Sequence, residues 1–500
     1  MAVAAFAVLV WNVDRPALWL DESASYVASQ RGWSQLWELM QANEAPLVPY
    51  YALLKMATSA STGVFSSPEA LARWPSAAVS VLAVWALTLW LVRQRQARLA
   101  AGTGLVLLSI AGFSRYGQEA RPYAFALAAA VASTVLWTRL SRDPRRRWIG
   151  LYAVSVALLV TAHLLAVGLL AAHVVTAVVT SSGPQRRAAV LRTLAGASLG
   201  VAAIAPFVVV AAARGKGPPT DQALTPRHLA GIFTHLLSEG RPGLGLVLAL
   251  VAVGATRVGS PRYRFIARLA VVWALVPITV TLPIFVLRPN LVVDRYLLYV
   301  VPAWAILGGL GIVTVAELVS RVGSRVPRTV SAPLTAALVA GLLVLAQVDT
   351  LRMVRTPSGH GEDVRPALAA THRTGRAHLP IVVSTPRWAV ELVPYDSDAA
   401  GRLVGVRVQR HLPSIWPSAA RRDAREQILR KQSTVLLLMR APLTGRCRWA
   451  AKGSAADHVR RCMPEDLRAL EYQVVAAEMD GRRWTSAVLT RCGGPGTAPC

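Results

Sequence analysis

The sequence predicts an all-α polytopic membrane protein with a small α/β domain at its C-terminal end. Three observations point there. Apolar runs of membrane-spanning length recur up to about residue 348, in a chain of 500 residues that is 54% hydrophobic with a mean hydropathy of +0.43. The loops between these runs alternate between basic and acidic. From residue 350 the long apolar runs stop, and shorter polar and apolar stretches alternate instead. The expected division is a membrane domain over 1–349 and a soluble domain over 350–500.

Spans are expected near 1–13, 71–92, 99–114, 122–139, 148–163, 164–180, 190–213, 243–256, 267–287, 296–316 and 330–348, about eleven in all. Each should be helical, because lipid cannot satisfy open backbone groups. The run 148–180 is too long for one crossing of a ~30 Å hydrocarbon layer, so it divides near His163. The run 1–13 is too short for a crossing and lacks the basic flank of a signal peptide. Part of the first span is therefore expected to precede Met1. Segment 46–62 holds Pro46, Pro49 and Lys55 and reads as an interfacial helix, with a span as the rival.

The loops set the expected orientation. The net charge is +28, and Lys55, Lys216, Lys431 and Lys452 are the only lysines, so the cations are mostly arginines. They cluster at Arg93, Arg95 and Arg98, at Arg139 and Arg142 to Arg147, at Arg186, Arg187 and Arg192, at Arg257 to Arg268, and at Arg321, Arg325 and Arg328. These are alternate loops, as cytoplasmic ones should be. The opposite loops hold Asp14, Asp21, Glu22, Glu38, Glu44, Glu69, Glu119, Asp221, Glu239 and Asp294, while Asp143 and Glu317 are exceptions. An odd number of spans puts the N-terminus inside and 350–500 outside. The basic charge suits these loops and anionic lipid. No RNA- or DNA-binding motif accompanies it, so no nucleic-acid partner is expected.

The tail supports the same side. Cys447, Cys462, Cys492 and Cys500 are the only cysteines. Their confinement to one soluble stretch suggests disulfides in an oxidising compartment, with three pairings possible. The spacings do not fit a zinc site. Ile381-Val382-Val383-Ser384 and Val435-Leu436-Leu437-Leu438 read as buried strands, and 421–432 as a helix. Stretches 472–479 and 482–490 read as a hairpin turning at Asp480-Gly481.

Ionisable groups near a bilayer are costly and so mark sites. Asp21 and Glu22 follow the first apolar run, and Arg115-Tyr116-Gly117-Gln118-Glu119-Ala120-Arg121-Pro122-Tyr123 follows the third. An acid pair and an Arg/Tyr cluster at span ends suit a base working beside an anionic group. Asp21 is a candidate general base; the alternative is a cap on a helix over 23–40. Arg121 can hold a phosphate by bidentate hydrogen bonds and Tyr123 can donate another; the alternative is interfacial anchoring. Pro122 sits where a helix would begin. Arg295, with Asp294 and Tyr296, is a second phosphate candidate or a structural Asp–Arg pair. His163 falls at an outward turn and can approach the site or pack in the core, and His173 follows ten residues later. Acids and histidines are not grouped at ligand spacing, so no metal site is assigned.

These pieces resemble a known family. Leu20-Asp21-Glu22-Ser23, Ala45-Pro46-Leu47 with Tyr50-Tyr51-Ala52-Leu53-Leu54, Ala72-Arg73-Trp74-Pro75-Ser76, the 115–123 run, and Asp294-Arg295-Tyr296-Leu297 with Pro302 occur in the family's order and spacing over about 1–310. The chain resembles the glycosyltransferase-C superfamily, in the branch of bacterial family-39-like enzymes related to protein O-mannosyltransferases and aminoarabinose transferases. The resemblance implies transfer of a sugar, mannose first, from a polyprenyl-phosphate donor with inversion at the outer membrane face. The acceptor would be an envelope glycan, lipid or protein. It implies Asp21 as the base, Glu22 as its helper or as the partner of an arginine, and Arg121, Tyr123 and Arg295 on the donor phosphate; Glu119, Glu44 and His163 are the supporting candidates of this chain. Some relatives use a divalent cation; no other cofactor is expected. Where relatives carry a His-Pro-Pro-Leu-like run, this chain has Glu44-Ala45-Pro46-Leu47, so no histidine role carries over. The rival class is a transporter or flippase of lipid-linked sugars. Such proteins show repeats and broken helices meeting at the midplane, whereas the polar clusters here lie at span ends.

Overall fold

The computed structural model describes the chain except residues 216–224, 240–242, 289–290, 292, 323–327, 361–362, 374–377, 397, 405, 408–414, 417, 420–421, 441–453, 481–483 and 492–500. The charges Lys216, Asp221, Arg325 and Lys452, the turn residue Gly481, and Cys447, Cys492 and Cys500 lie outside the described residues. The chain divides into two compact units. The first comprises Met1–Trp11, Asn43–Tyr50 and Arg73–Val354; the second comprises Asn12–Ala42, Tyr51–Ala72 and Arg355–Cys500.

Up to residue 353 the elements are helical. They begin with α1 (Ala2–Val10), α2 (Leu20–Ser29), α3 (Trp33–Glu38), α4 (Val48–Ala60), α5 (Pro68–Arg93), α6 (Ala97–Ser109), α7 (Ala111–Tyr116) and α8 (Tyr123–Leu140). There follow α9 (Arg146–Ala162), α10 (Gly168–Thr180), α11 (Gly183–Ala203), α12 (Ala205–Arg214), α13 (Pro226–Ser238), α14 (Gly243–Ala255), α15 (Arg264–Leu287), α16 (Val301–Val322) and α17 (Arg328–Met353). Among the described residues, Pro68–Arg93, Tyr123–Leu140, Arg264–Leu287, Asp294–Arg321 and Ser331–Met353 are each long and apolar enough to cross a bilayer. This is a multi-pass membrane protein.

Each expected apolar run is helical, but several are broken. The run 148–180 parts at His163, whose φ of −157° and ψ of 112° leave helical space. The run 99–114 is α6 and α7, parted at Ile110 with ψ 118°. The run 190–213 is α11 and α12, bent by 66°. Pro206 in the first turn of α12 lacks the N–H that would bond back into α11. Helix α13 was not expected. Its Arg227, His228 and His235 interrupt the apolar pattern, and the Thr225 side chain starts it by accepting from the His228 N–H.

Small residues bring the first unit's helices together. A Cβ at Gly102 of α6 would lie 3.2 Å from the Gly309 Cα of α16. A Cβ at Gly254 of α14 would lie 1.8 Å from the Leu307 carbonyl oxygen of α16. Such backbone approaches replace the hydrophobic driving force that helices lack in lipid. His173 belongs to this packing. It bonds Thr134 Oγ1 at 3.1 Å and the Tyr152 hydroxyl at 2.8 Å, and stacks on Trp137.

The second unit holds α2, α3 and the chain from Arg355 on. The latter contributes α18 (Arg365–Arg373), β1 (Ile381–Val383), α19 (Ala399–Arg402), β2 (Val406–Arg407), β3 (Ser418–Ala419), α20 (Arg422–Arg430) and β4 (Thr434–Arg440). It ends with α21 (Ala455–Cys462), α22 (Glu465–Ala469), β5 (Tyr472–Asp480) and β6 (Trp484–Arg491). The four-stranded sheet runs β1-β4-β6-β5, parallel between β1 and β4 and antiparallel elsewhere. Strands β1 and β4 are continuously apolar because both faces are covered. Ile381, Val383, Leu436 and Leu438 join a core with Ala367 and Leu368 of α18, while Val382, Val435, Leu437 and Met439 join one with Leu429, Val459 and Leu467. Strands β5 and β6 pair as the hairpin read from sequence, with a bulge between Val474 and Ala476. Cys462 is disulfide-bonded.

Candidate active site

The 115–123 run lies in the first unit. Helix α7 ends at Tyr116, and the Gly117 carbonyl accepts a 2.7 Å bond from the Ser80 hydroxyl of α5. The Arg121 N–H donates to the Glu119 carbonyl at 2.7 Å, a three-residue turn that redirects the chain. Pro122 is the N-cap of α8, so Tyr123 opens that helix. This tight turn buries Arg121 to 8% exposure and Tyr123 to 2%.

Charged and aromatic groups gather around it. Arg115 reaches the buried Glu119 carboxylate and Glu239, each at 3.3 Å. The Tyr116 hydroxyl donates to Asp294 Oδ2 at 2.7 Å, and the other Asp294 oxygen takes the backbone N–H of Arg295 at 2.8 Å. Arg295 Nε donates to the Tyr123 hydroxyl at 3.0 Å. The His163 ring lies 6.2 Å from that of Tyr123 and 4.8 Å from that of Tyr296. The charges of Arg121 and Arg295 both act on His163. Arg121, Tyr123, Arg295 and His163, separate in the sequence, thus belong to one cluster, with Glu119 tied into it through Arg115. Two guanidiniums, a phenol and an imidazole in largely buried surroundings are the groups that would suit an anion, and carboxylates hold the neighbouring Arg115 and Tyr116 in place.

Glu44 also lies in the first unit, buried at the head of the 3₁₀ turn Ala45–Leu47, where its carbonyl accepts from the Leu47 N–H at 2.8 Å. Sequence reasoning singled out neither Arg115 nor Tyr116, although both stand in the quoted run, and it read Glu239 only as a loop acid. The Arg115–Glu239 pair depends on α13, which the apolar pattern did not reveal.

Asp21 and Glu22 lie in the second unit, in the first turn of α2. The N-cap of α2 is Trp19, which makes no side-chain cap bond, so Asp21 sits inside the helix and not ahead of it. Asp21 is half-buried; Glu22 is fully buried. Glu22 Oε2 meets His360 Nδ1 at 3.4 Å. His360 had no sequence signal; it lies 338 residues from Glu22 in a Ser/Gly/His stretch without periodicity. Among the described residues no group of three or more His, Cys, Asp or Glu side chains is arranged to hold a metal ion, so no chemical step is assigned to one.

No protein-family model and no curated protein matches the chain. Solved structures do. A crystal structure of ArnT from Cupriavidus metallidurans bound to undecaprenyl phosphate aligns with a TM-score of 0.58 at 16% identity, over 97% of this chain and 96% of that one. The chain has the glycosyltransferase-C fold. The apo structure of the same ArnT gives a TM-score of 0.57 at 15% identity, over 97% and 95%. The archaeal oligosaccharyltransferase AglB from Archaeoglobus fulgidus reaches 0.48 at 11% identity, over 88% of this chain and 68% of that one. The glycosyltransferase-C likeness to ArnT extends along nearly the whole of both chains, C-terminal α/β elements included.

Proposed function

We propose that the chain is a membrane glycosyltransferase that moves a sugar, mannose first, from a polyprenyl-phosphate donor to a hydroxyl of an envelope glycan, lipid or protein. The observation that carries this reading is the Arg121–Tyr123–Arg295–His163 cluster, an anion site in a fold whose near full-length structural neighbour binds undecaprenyl phosphate. In the reaction, the Asp21 carboxylate takes the proton of the acceptor hydroxyl. The acceptor oxygen bonds to the anomeric carbon from the face opposite the phosphate. The carbon–oxygen bond to the phosphate breaks, its electron pair stays on the phosphate, and the anomeric configuration inverts. Arg121 and Arg295 neutralise the charge that develops there, with hydrogen bonds from Tyr123. Glu22 supports Asp21, while Glu119 and Glu44 serve as supporting acids. About eleven spans, a site at the outer membrane face and an extracytoplasmic tail complete the proposal.

The test is direct. Purified protein is incubated with radiolabelled undecaprenyl-phosphate mannose and an envelope extract. Label appearing in the extract, dependent on the protein, supports the reading. Movement of the intact lipid across a vesicle bilayer with no transfer would make the chain a flippase and overturn it.

A further inference from the structure

His360 has no part in the chemistry proposed above, yet its side chain is fully buried against Glu22. Its Nδ1 stands 3.4 Å from Glu22 Oε2, and neither side chain is exposed. A buried carboxylate left unpaired costs several kcal/mol, so this contact helps hold Glu22 in place. Glu22 and Asp21 are neighbours in the first turn of α2, and α2 has no side-chain cap to fix its start.

The segment leading into α2 is fastened from the same direction. The Ala17 N–H donates to the Pro357 carbonyl at 3.0 Å, and the Leu18 N–H to the Tyr395 hydroxyl at 2.7 Å. Arg365 donates to the Arg15 carbonyl at 2.7 Å and pairs with Glu69 at 2.8 Å and Asp363 at 2.9 Å. Pro357, His360, Arg365 and Tyr395 all belong to the part of the second unit that follows Arg355. The Glu22–His360 contact is made from within the helix itself, in its first turn.

We infer that His360 is a positioning residue for the general base: by holding Glu22 it sets the direction of the Asp21 carboxylate. The inference rests on the reading of Asp21 as that base. A misplacement of about 1 Å costs on the order of 10²-fold in rate, so loss of the imidazole should act on turnover and leave substrate binding alone. The bond is made by Nδ1, so asparagine, whose amide occupies nearly the same place, should substitute for it, whereas alanine should not.

The experiment compares His360→Ala, His360→Asn, Glu22→Ala and Asp21→Asn with the unaltered full-length protein in detergent. It reads hydrogen–deuterium exchange over 16–29 and the kinetics of label transfer from undecaprenyl-phosphate mannose. The expected result for His360→Ala is faster exchange and a kcat lower by about 10²-fold with donor KM unchanged, and for His360→Asn recovery of both. Wild-type exchange and turnover in His360→Ala overturn the inference, as does a change in KM alone. If His360→Ala does not fold, His360→Asn decides: near wild-type values support the role, and values as low as those of Glu22→Ala overturn it. An inactive Asp21→Asn beside an active His360→Ala removes the positioning role only. An active Asp21→Asn removes the base assignment and the positioning role with it.

Discussion

Arg295 Nε donates to the Tyr123 hydroxyl at 3.0 Å, joining the 3₁₀ turn Asp294–Val300 to the start of α8 across 172 residues of chain. The bond orients a guanidinium and a phenol towards each other and leaves the phenol's own proton to be donated elsewhere. Arg295→Lys keeps the charge and loses the planar Nε–H. It should lower kcat/KM for the donor by about 10²-fold, the scale of losing one preorganised donor. Tyr123→Phe should cost about fivefold, corresponding to one neutral hydrogen bond of ~1 kcal/mol. Because the two act through one bond, the double variant should be little worse than Arg295→Lys. Initial rates against donor concentration check this, and independent, multiplying losses would separate the two residues.

Arg121→Ala should damage donor use more than acceptor use. Arg121 is buried in the tight turn before α8, and its charge reaches His163. Removal of a charge-assisted contact to phosphate costs about 1.5–3 kcal/mol, or roughly 10–10²-fold. Steady-state kinetics with each substrate varied in turn measure it. An effect on the acceptor alone would take Arg121 out of the donor site.

Most of the helical architecture was legible because lipid leaves a chain little choice. A run that must satisfy its own backbone shows as an unbroken apolar stretch, and the helices found at 68–93, 264–287 and 301–322 follow from that. The hairpin at 472–491 was legible from Asp480-Gly481 for a similar local reason. Breaks such as Ile110 and helices such as α13 were not, since they depend on neighbours that sequence periodicity does not contain. The candidate residues Arg121, Tyr123 and Arg295 were readable by type, but the bond between Arg295 and Tyr123 was not. Nothing in 357–363 announced that His360 would meet Glu22, because burial of a polar pair is decided by tertiary contact.

The tail should be oxidised and extracytoplasmic. Cys462 is already disulfide-bonded, and removing a native disulfide from a small domain costs about 2–5 kcal/mol. Cys462→Ser should therefore lower the melting temperature and increase proteolysis after residue 350. A reporter fused after 350 should be active only outside the cytoplasm; activity only inside would reverse the topology.

The same tail should lose stability in acid through His458. Burial first, and then the Arg461 charge, hold this imidazole below its ordinary value. In the unfolded chain it takes its proton near pH ~6.5. Below that pH the unfolded state binds a proton that the folded state resists. The destabilisation is therefore absent above about pH 6.5 and grows as the pH falls towards the folded value. His458→Gln should flatten the decline in melting temperature between about pH 7 and pH 5; an unchanged slope would assign the decline to other groups.

Asp21→Asn separates the chemical role of Asp21 from its helical one. The carboxylate occupies the first turn of α2, where a negative charge near the helix N-terminus is worth about 0.3–1 kcal/mol. If that were its whole purpose, asparagine would lower stability by this small amount and leave transfer nearly intact. If Asp21 is the general base, asparagine keeps the shape and the Ser25 hydroxyl's 3.0 Å bond to the residue 21 carbonyl, but it cannot accept the proton. Transfer should then fall by about 10²–10⁴-fold while the melting temperature moves by only a few degrees, about what 1 kcal/mol produces in a domain of 150–250 residues. The expected outcome is this split between activity and stability. A variant that melts slightly lower and turns over at the wild-type rate would leave Asp21 as a helix-stabilising acid, and the base would have to be sought elsewhere.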